Sequence, residues 1–315
     1  MDPRVSVIIV NYNGGAYLQD CIRALQSQTI SEYEVIVVDN NSQDGSLGLV
    51  PDDDPRFRVL ALEWNSGFAY ANNRGVELAQ APWVVMLNGD AFAATDWLKC
   101  LLEASESKSE YAFFGSHQLL VQPKDCLDGT GDMLALSGRA WRRDHQSPLE
   151  LGVGISDEVF GACAAAAMYE KDAFLEVGGF EEDFFCYFED VDLAFKLRIA
   201  GYRCLHVADA IVYHVGSAST SPTSDFQVYH GYRNLVWAYF KNMPLDLLVL
   251  NLPKHVRFGI RSVRDWTQKG KGTVIRKAYW DAIRGLPRII WKRRSGLQRL
   301  RRVSSVAMTR HMFLE

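Results

Sequence analysis

The sequence contains no long apolar run, no closely paired cysteines and no repeated segment. A membrane-spanning helix needs about 18 apolar residues, whereas the nearest candidate, residues 245–252, is far shorter and contains an aspartate. The apolar run at residues 5–10 is too short for a signal peptide. The six cysteines are scattered without a CxxC pair, a pattern typical of reduced thiols in the cytoplasm. These absences predict a protein that is soluble or attached to a membrane surface.

Acidic and basic residues are divided unevenly along the 315-residue chain. Residues 253–302 contain 16 lysines and arginines but only two acids, whereas the rest of the chain contains 18 bases and 36 acids. An acidic body with a strongly basic tail predicts an anionic partner for the tail.

The tail sequence predicts amphipathic helices. Val256, Ile260 and Val263 recur at helical spacing beside arginines, and Trp291 is followed by three bases. Apolar residues and tryptophan beside arginine-rich faces are typical of helices that lie on anionic lipid, although a merely solvated face is the alternative. Nucleic acid is not expected as a partner, because the body is acidic and carries no recognition motif.

Domain organisation and location follow from this division. We expect a catalytic domain at residues 1–240 and a basic amphipathic helical tail at residues 241–315. The tail predicts a cytoplasmic protein that is peripheral on the inner face of the plasma membrane, and homo-oligomerisation is left open.

The first 90 residues alternate apolar runs, polar loops and helical patterns. Strands are predicted at residues 5–10, 33–38, 57–62 and 83–87, with helical patterns after the first and third. Continuous β-branched runs are typical of strands buried on both faces. The repeated order predicts an α/β fold with a doubly wound, mostly parallel sheet whose ligand lies at the carboxyl ends of the strands.

The second half gives a weaker pattern. Between residues 97 and 151 the periodicity fades, and residues 129–144 are predicted to be an irregular insertion. A helix is predicted at residues 190–200 and a strand at residues 210–214.

Two acids follow predicted strands in the first half. Asp39 ends the second strand, where a carboxylate could bind a nucleoside, although helix capping or a turn would also explain it. Asp90 closes Asn88-Gly89-Asp90 after the fourth strand, and a dication on a diphosphate needs few protein oxygens. His214, at the end of a late strand, is a candidate second ligand, although a structural histidine is the commoner case.

A second acidic motif lies a hundred residues later. Glu189 and Asp190 follow an aromatic run, which would desolvate a carboxylate and suit a general base beside a substrate hydroxyl. A charge pair that favours a helix start is the alternative. Arg233 could clamp a phosphate, or it could be an ordinary surface arginine.

The order of these motifs resembles family-2 inverting glycosyltransferases. Residues 5–13 and 37–45 are similar to the opening of that family, residues 65–75 to its third motif, and Leu-Asn-Gly-Asp at 87–90 to its metal motif. Gly-Gly-Phe at 178–180 and Phe-Glu-Asp-Val-Asp-Leu at 188–193 resemble its acceptor-site motif. Within the family, residues 65–75 and 229–234 are most similar to the rhamnosyltransferase-like branch.

The resemblance implies the glycosyltransferase-A fold and a role for each matching residue. Tyr12 and Asp39 would hold the base and ribose, Asp90 and His214 would bind Mg²⁺ or Mn²⁺, and Asp190 would deprotonate the acceptor hydroxyl. The further residues that the resemblance assigns to substrate binding are Asn65, Gly67, Asn72, Asn88, Glu189 and Arg233. Asn88 departs from the family's two-acid DxD motif, which implies weaker metal binding.

The implied reaction is inverting transfer of a single sugar from a nucleotide-diphosphate sugar, with deoxythymidine-diphosphate rhamnose favoured as donor. The implied acceptor is a hydroxyl of a lipid-linked or polysaccharide glycan in cell-envelope biosynthesis. The Gln-x-x-Arg-Trp motif of processive synthases is absent. Three alternatives stay open: a non-catalytic nucleotide-sugar-binding module, a transferase that uses a UDP-sugar and another acceptor, and a nucleotidyltransferase.

Overall fold

A mixed ten-stranded sheet with helices on both faces forms the centre of the computed structural model, which describes residues 2–149, 154–216, 223–293 and 300–314. The strands are β1 (Val5–Asn11), β2 (Tyr33–Asp39), β3 (Phe57–Ala61), β4 (Trp83–Leu87), β5 (Ala91–Ala93), β6 (Phe113–Leu120), β7 (Leu127–Gly129), β8 (Asp132–Leu134), β9 (Ala140–Arg142), β10 (Glu158–Val159), β11 (Ala166–Glu170) and β12 (Cys204–His214). The helices are α1 (Gly15–Gln26), α2 (Gly67–Leu78), α3 (Trp97–Ser107), α4 (Lys171–Glu176), α5 (Glu189–Ile199), α6 (Asp225–Asn242), α7 (Leu245–Gln268), α8 (Gly272–Lys292) and α9 (Ser305–Thr309).

The main path of the sheet runs β10-β12-β6-β11-β4-β1-β2-β3. The pairs β1–β2, β1–β4, β2–β3 and β6–β12 are parallel, whereas β11 runs antiparallel between β4 and β6. Strands β8 and β9 form a separate hairpin. The prediction of an α/β glycosyltransferase-A-type fold with a mostly parallel sheet is confirmed, with one antiparallel strand in its middle.

Alternation along β1 divides the core into two layers. Val7 and Ile9 belong to the cluster that includes α1 and α3, whereas Ile8 belongs to the cluster that includes α2 and α5. Successive side chains of a strand point to opposite faces, so a continuous apolar run is needed where helices cover both faces. The helices on both faces hold the carboxyl ends of β1, β2 and β4 together at one edge of the sheet.

The region of weak periodicity at residues 97–151, including the irregular insertion predicted at residues 129–144, contains regular structure. It holds α3, the central strand β6 and the hairpin β8–β9. Strand β6 lacked a strand-like pattern because Ser116, His117 and Gln118 are polar, yet all three are buried. Strand β12 begins at Cys204, six residues before the predicted start.

The last helices pack on the rest of the molecule through aromatic contacts. The rings of Tyr239 on α6 and His255 on α7 stack with centroids 4.0 Å apart. Trp237 Nε1 on α6 donates a 2.9 Å hydrogen bond to the carbonyl of Ala282 on α8. The predicted domain boundary at residue 240 falls in the last turn of α6, and residues 294–299 of the predicted tail lie outside the described residues. Within the described ranges, no helix is both long and apolar enough to cross a bilayer.

Two helical glycines should respond to alanine in opposite directions. A Cβ on Gly75 in α2 would lie 2.5 Å from Ile8 Cγ2, whereas a Cβ on Gly231 in α6 would meet nothing within 4 Å. We expect Gly75→Ala to lower the free energy of unfolding by about 1–3 kcal/mol through overpacking. Gly231→Ala should raise it by up to about 1 kcal/mol through helix propensity. Thermal and denaturant unfolding of both variants would measure this, and a Gly75→Ala protein as stable as the parent would contradict the close packing of α2 on β1.

Candidate active site

The candidate site begins where β1 and β2 end side by side. Asn11 and Asp39 are paired in register, and Asn11 Nδ2 donates a 2.8 Å hydrogen bond to Asp39 Oδ1. The backbone N–H of Ser42 donates to Asp39 Oδ2 at 3.0 Å. Asp39 is therefore buried and fixed, while Tyr12, one residue beyond β1, is 44% exposed. This edge leaves an exposed ring beside an oriented carboxylate.

Asn40, which the sequence analysis did not single out, ties this edge to the third motif. Its Nδ2 donates to Asn65 Oδ1 at 3.1 Å and to the carbonyl of Gly67 at 3.2 Å. Its Oδ1 accepts from the backbone N–H of Ser66 at 2.7 Å. Asn65 is thus part of a buried amide network at the start of α2. The run of polar residues after β2 was the available signal for Asn40.

Gly67 and Asn72 have structural partners in α2. Gly67 has a φ of +83°, and a Cβ there would lie 2.5 Å from the carbonyl oxygen of Phe185. The backbone N–H of Ala69 donates to that same oxygen at 3.1 Å. Asn72 donates to the carbonyl of Phe68 within its own helix. Gly67 lets the loop before Asp190 approach α2, and substrate contact by Gly67 or Asn72 stays a prediction.

The structure brings Asn88, Asp90 and His214 together, as the sequence analysis expected. His214 Nε2 lies 3.3 Å from Asp90 Oδ1 and 3.3 Å from Asn88 Nδ2. The antiparallel pairing of β5 with β12 sets Ala91 opposite His214 and so places the loop after β4 beside that ring.

Asp128 completes this cluster and was not predicted. His214 Nδ1 lies 2.7 Å from Asp128 Oδ2, and Arg142 also forms an ion pair with Asp128. Burial alone would raise the pKa of Asp128, but hydrogen bonds from His145 and His214 and the charge of Arg142 hold it far below its usual range. Asp128 is therefore a carboxylate that fixes the orientation of the His214 ring. It lies in the region of weak periodicity at residues 97–151, immediately before the insertion predicted to be irregular.

The donor set at His214 fits a hard divalent cation. Burial lowers the pKa of His214, but its hydrogen bonds to Asp128 and Asp90 raise it above the ordinary value. With the Nδ1 proton directed at Asp128, the Nε2 lone pair faces the Asp90 carboxylate, and this arrangement requires a proton or a cation between them. Across the described residues, no group of three or more His, Cys, Asp or Glu side chains is arranged to hold a metal. Asp90 and His214 alone suffice where a diphosphate and water supply the remaining ligands.

Asp190 lies at the first turn of α5 and is held close to the Asn88 loop. Its Oδ2 accepts from the backbone N–H of Ala164 at 3.3 Å, and its Oδ1 accepts from that of Val191 at 2.8 Å. The next residue, Ala165, accepts at its carbonyl from the N–H of Asn88 at 2.9 Å. Two adjacent alanines thus join the two acidic motifs that lie a hundred residues apart in the sequence.

Asp190 lies near two other carboxyl groups, those of Glu189 and Asp132. Burial raises the pKa of Asp190, and the pKa values of Glu189 and Asp132 are raised by burial and by the charge of Asp190. In the described part of the chain, Glu189 Oε2 and Asp132 Oδ2 are buried without a hydrogen-bond partner. A carboxylate whose pKa is raised toward neutrality is suited to accept a proton. Asp132 was not predicted.

Arg233 contacts the loop before Asp190. Its guanidinium donates to the carbonyls of Asp183 and Phe184 at 3.3 and 3.0 Å, and it lies 4.4 Å from the ring centroid of Trp237. The structure therefore gives Arg233 a role in holding this loop, and its predicted contact with phosphate stays a prediction.

Family models match this arrangement over most of the described fold. Residues 6–121 match the model of glycosyl transferase family 2, and residues 74–250 match that of glycosyl transferase family group 2. The chain belongs to family 2 of the glycosyltransferases. It is an enzyme that transfers a sugar from a nucleotide-sugar donor.

Curated relatives carry related activities. The chain is 28% identical over 255 residues to the N-acetylglucosaminyl-diphospho-decaprenol L-rhamnosyltransferase of Mycobacterium tuberculosis, which covers 71% of this chain and 80% of the relative. It is 34% identical over 129 residues to the putative teichuronic acid biosynthesis glycosyltransferase TuaG of Bacillus subtilis, a match that covers 40% of this chain and 51% of the relative.

Two solved structures share the fold at low sequence identity. The mannosyltransferase PcManGT from Pyrobaculum calidifontis, in complex with GDP-Man and Mn²⁺, has a TM-score of 0.56 at 17% identity and covers 98% of this chain and 86% of its own. GalNAc-T7 with UDP, GalNAc and Mn²⁺ has a TM-score of 0.61 at 16% identity and covers 76% of this chain and 48% of its own. At these identities the likeness concerns the fold alone.

Proposed function

We propose that this glycosyltransferase performs an inverting, metal-assisted transfer of one sugar from a nucleotide-diphosphate sugar to a hydroxyl of a lipid-linked or polysaccharide glycan. The observation that carries the proposal is the pair of hydrogen bonds on Ala164 and Ala165. Through them, the carboxylate of Asp190 lies next to the loop that bears Asp90. A base and a diphosphate-binding acid are thereby held at one crevice.

The proton transfer falls to Asp190. The acceptor hydroxyl attacks the anomeric carbon from the face opposite the diphosphate, so a bond from oxygen to carbon forms as the bond to the diphosphate breaks. Asp190 accepts the hydroxyl proton, and its raised pKa makes it a stronger base than an exposed aspartate. Attack opposite the leaving group inverts the configuration at that carbon.

The leaving diphosphate carries charge that the crevice must neutralise. Mg²⁺ or Mn²⁺ would be held by Asp90 and His214, with Asn88 alongside, and would supply that neutralisation as a Lewis acid. Asp128 keeps His214 oriented through the 2.7 Å contact at Nδ1. At the other end, Tyr12, Asp39 and the network around Asn65 are the groups proposed to hold the nucleoside.

The donor and acceptor classes rest on similarity. The Mycobacterium tuberculosis relative is named for transfer of L-rhamnose and for an N-acetylglucosaminyl-diphospho-decaprenol, which supports deoxythymidine-diphosphate rhamnose and a lipid-linked acceptor in envelope glycan synthesis. A non-catalytic binding module is disfavoured because both Asp90 and Asp190 are kept. Thermal-shift screening of nucleotide sugars with Mn²⁺ would identify the donor, since a ligand that binds only the native state raises its melting temperature.

Asp190→Asn should abolish transfer while donor affinity stays within a few-fold of the parent. The amide cannot accept a proton, and loss of a general base costs roughly 10²–10⁴-fold in rate. Calorimetry with the donor that stabilises the parent most, together with single-turnover kinetics, would separate binding from chemistry. Near-parental turnover would remove Asp190 from this role.

Asp90→Ala and Asp128→Asn should both weaken Mn²⁺-dependent donor binding, the first by removing a ligand and the second by releasing His214. Loss of a partner that orients a metal-bound histidine costs about 10–100-fold in metal affinity. The readout is Mn²⁺ binding in the presence of the nucleoside diphosphate, and Asp54→Asn is the control, because Asp54 pairs with Arg56 instead. Equal donor binding in Mn²⁺ and in chelator, for parent and variants alike, would contradict the metal assignment.

We further propose that α7 and α8 attach the enzyme to an anionic membrane surface. On α7 a shallow groove is lined by Val249, Val256 and Ile260, with Arg257 and Arg261 at its side. On α8 the exposed apolar residues are Trp280, Ile283 and Trp291, at 61%, 57% and 67% exposure. An apolar stripe beside a basic stripe on each helix is the pattern of interfacial binding, and the acidic body would otherwise be repelled by anionic lipid.

Ile260→Asp should weaken binding to anionic vesicles, while Ile155→Asp should not. The two isoleucines are 67% and 66% exposed, so each substitution adds one negative charge at an equally accessible position, on α7 and before β10 respectively. Flotation with vesicles of anionic and of zwitterionic phospholipid would measure it. Parental binding should also fall steeply with salt, because the Debye length shrinks from about 10 Å at 0.1 M to about 3 Å at 1 M. Equal flotation of both variants would dismiss this surface.

A further inference from the structure

We propose that Asn234 is a positioning residue, which holds the loop 184–188 in the conformation that presents Asp190 to the acceptor. The part that concerns Asp190 rests on the function proposed above, whereas the hold on the loop itself can be tested without any substrate. The loop enters α5 directly, since Glu189 and Asp190 are the first two residues of that helix.

The backbone of this loop is in an unfavourable conformation. Phe185, Tyr187 and Phe188 have φ values of +67°, +66° and +72°, a region that bulky L-residues rarely occupy. Such a residue is strained and persists only where its surroundings overdetermine it. Something outside the loop must therefore hold it.

Asn234 supplies that hold from α6. Its Nδ2 lies 3.0 Å from the carbonyl of Phe184, 3.0 Å from that of Cys186 and 2.7 Å from that of Tyr187. The side chain is completely buried. One amide nitrogen thus contacts three carbonyl groups of a five-residue loop. Only a group that donates hydrogen bonds and does not accept them can occupy that point.

Arg233 sets the orientation of this amide. Its Nε donates to Asn234 Oδ1 at 2.9 Å, so the oxygen faces the guanidinium and the nitrogen faces the loop. A flipped amide would point its oxygen at three carbonyl oxygens and would be repelled. The two neighbours on α6 therefore act as one clamp.

Helix α6 is itself anchored to α5 beyond the loop. Lys241 and Asn242 at the end of α6 donate to Asp192 on α5 at 2.9 and 2.7 Å. Asp192 is fully buried and lies two residues after Asp190. The position of Asp190 is thereby fixed from both sides by α6, through Asn234 before it and through Lys241 and Asn242 after it.

The test compares Asn234→Ala and Asn234→Asp with Asn251→Ala. Asn251 on α7 is also buried and donates to a backbone carbonyl, that of Leu247, but it lies outside the loop. Asn234→Asp keeps the shape and removes the amide donors, so it separates hydrogen bonding from packing. Asn234→Ser, which keeps one donor, serves should the other two fail to fold.

Hydrogen exchange in the absence of substrate is the first readout. The amides of Phe185 and Cys186 donate to the carbonyls of Glu182 and Phe184. We expect their exchange to accelerate in each Asn234 variant and to stay parental in Asn251→Ala. Unchanged exchange of these amides in a folded Asn234 variant would overturn the proposal, whatever the enzyme's substrates are.

Kinetics is the second readout. Misplacement of a reacting group by about 1 Å costs roughly 10²-fold in rate, so we expect kcat to fall by about that factor in Asn234→Ala and Asn234→Asp. The donor KM should change less than about 3-fold. An Asn234→Ala enzyme that keeps parental kcat would refute the positioning role, since its methyl group cannot donate to the carbonyls.

Discussion

Two backbone hydrogen bonds on neighbouring alanines hold the active site together. The N–H of Ala164 binds the carboxylate of Asp190, and the carbonyl of Ala165 binds the N–H of Asn88. Both alanines belong to a buried run of small residues, 162–167, that leads into the antiparallel strand β11. Larger side chains there would push α5 and the β4 loop apart. The one antiparallel strand in the sheet core is thus what places a base from the second half of the chain beside an acid from the first.

Buried ion pairs between α6 and its neighbours also stabilise this arrangement. Lys241 pairs with two buried acids, its Nζ lying 2.9 Å from Asp192 Oδ2 and 2.7 Å from Glu181 Oε2. Burial would raise the pKa of Glu181, but the charges of Lys241 and Lys292 lower it to about 2. A buried ion pair adds little stability against an apolar replacement, yet it strongly penalises any arrangement in which one partner is left alone. Here these ion pairs fix the position of α6 relative to α5, and hence the position of Asn234 relative to the loop before Asp190.

The strands and acids that the sequence revealed were those with local signals. β1, β2 and β4 are continuous apolar runs, and Asp39, Asp90 and Asp190 each stand directly after an apolar or aromatic segment. Strand β6 had no such signal, because the hydrogen-bond partners of its buried polar residues are distant in the sequence. Ser116 accepts from Trp97 Nε1 at 2.8 Å, and Gln118 donates to the carbonyl of Cys163 at 3.2 Å. From the sequence alone, a polar residue is expected to be exposed, and its burial becomes evident only when its tertiary partner is known.

The roles of Asp128 and Asn234 could not be predicted from the sequence for a similar reason. Each acts through another residue: Asp128 through the His214 ring and Asn234 through three loop carbonyls. Nothing in the neighbouring sequence indicates such an indirect role, because the atoms they orient are 86 residues and about 50 residues away in the chain. A motif identifies the groups that meet the substrate, whereas the groups that orient them are set by the fold.

The contacts of the basic tail separate its charged residues into two groups, those that form ion pairs with the rest of the protein and those that are exposed. On α8, Arg288 and Lys292 form ion pairs with Asp183 and Glu181 beside the loop that Asn234 holds. Arg257, Arg261 and Arg264 on α7 are instead exposed. Charge committed to Asp183 and Glu181 contributes little to lipid attraction, which leaves the exposed arginines of α7, together with Arg276 and Arg284 on α8, for the electrostatic part of membrane binding. The same pairs connect α8, which bears Trp291, to the approach of Asp190, so that a helix proposed to touch lipid also contacts the loop proposed to meet a lipid-linked acceptor.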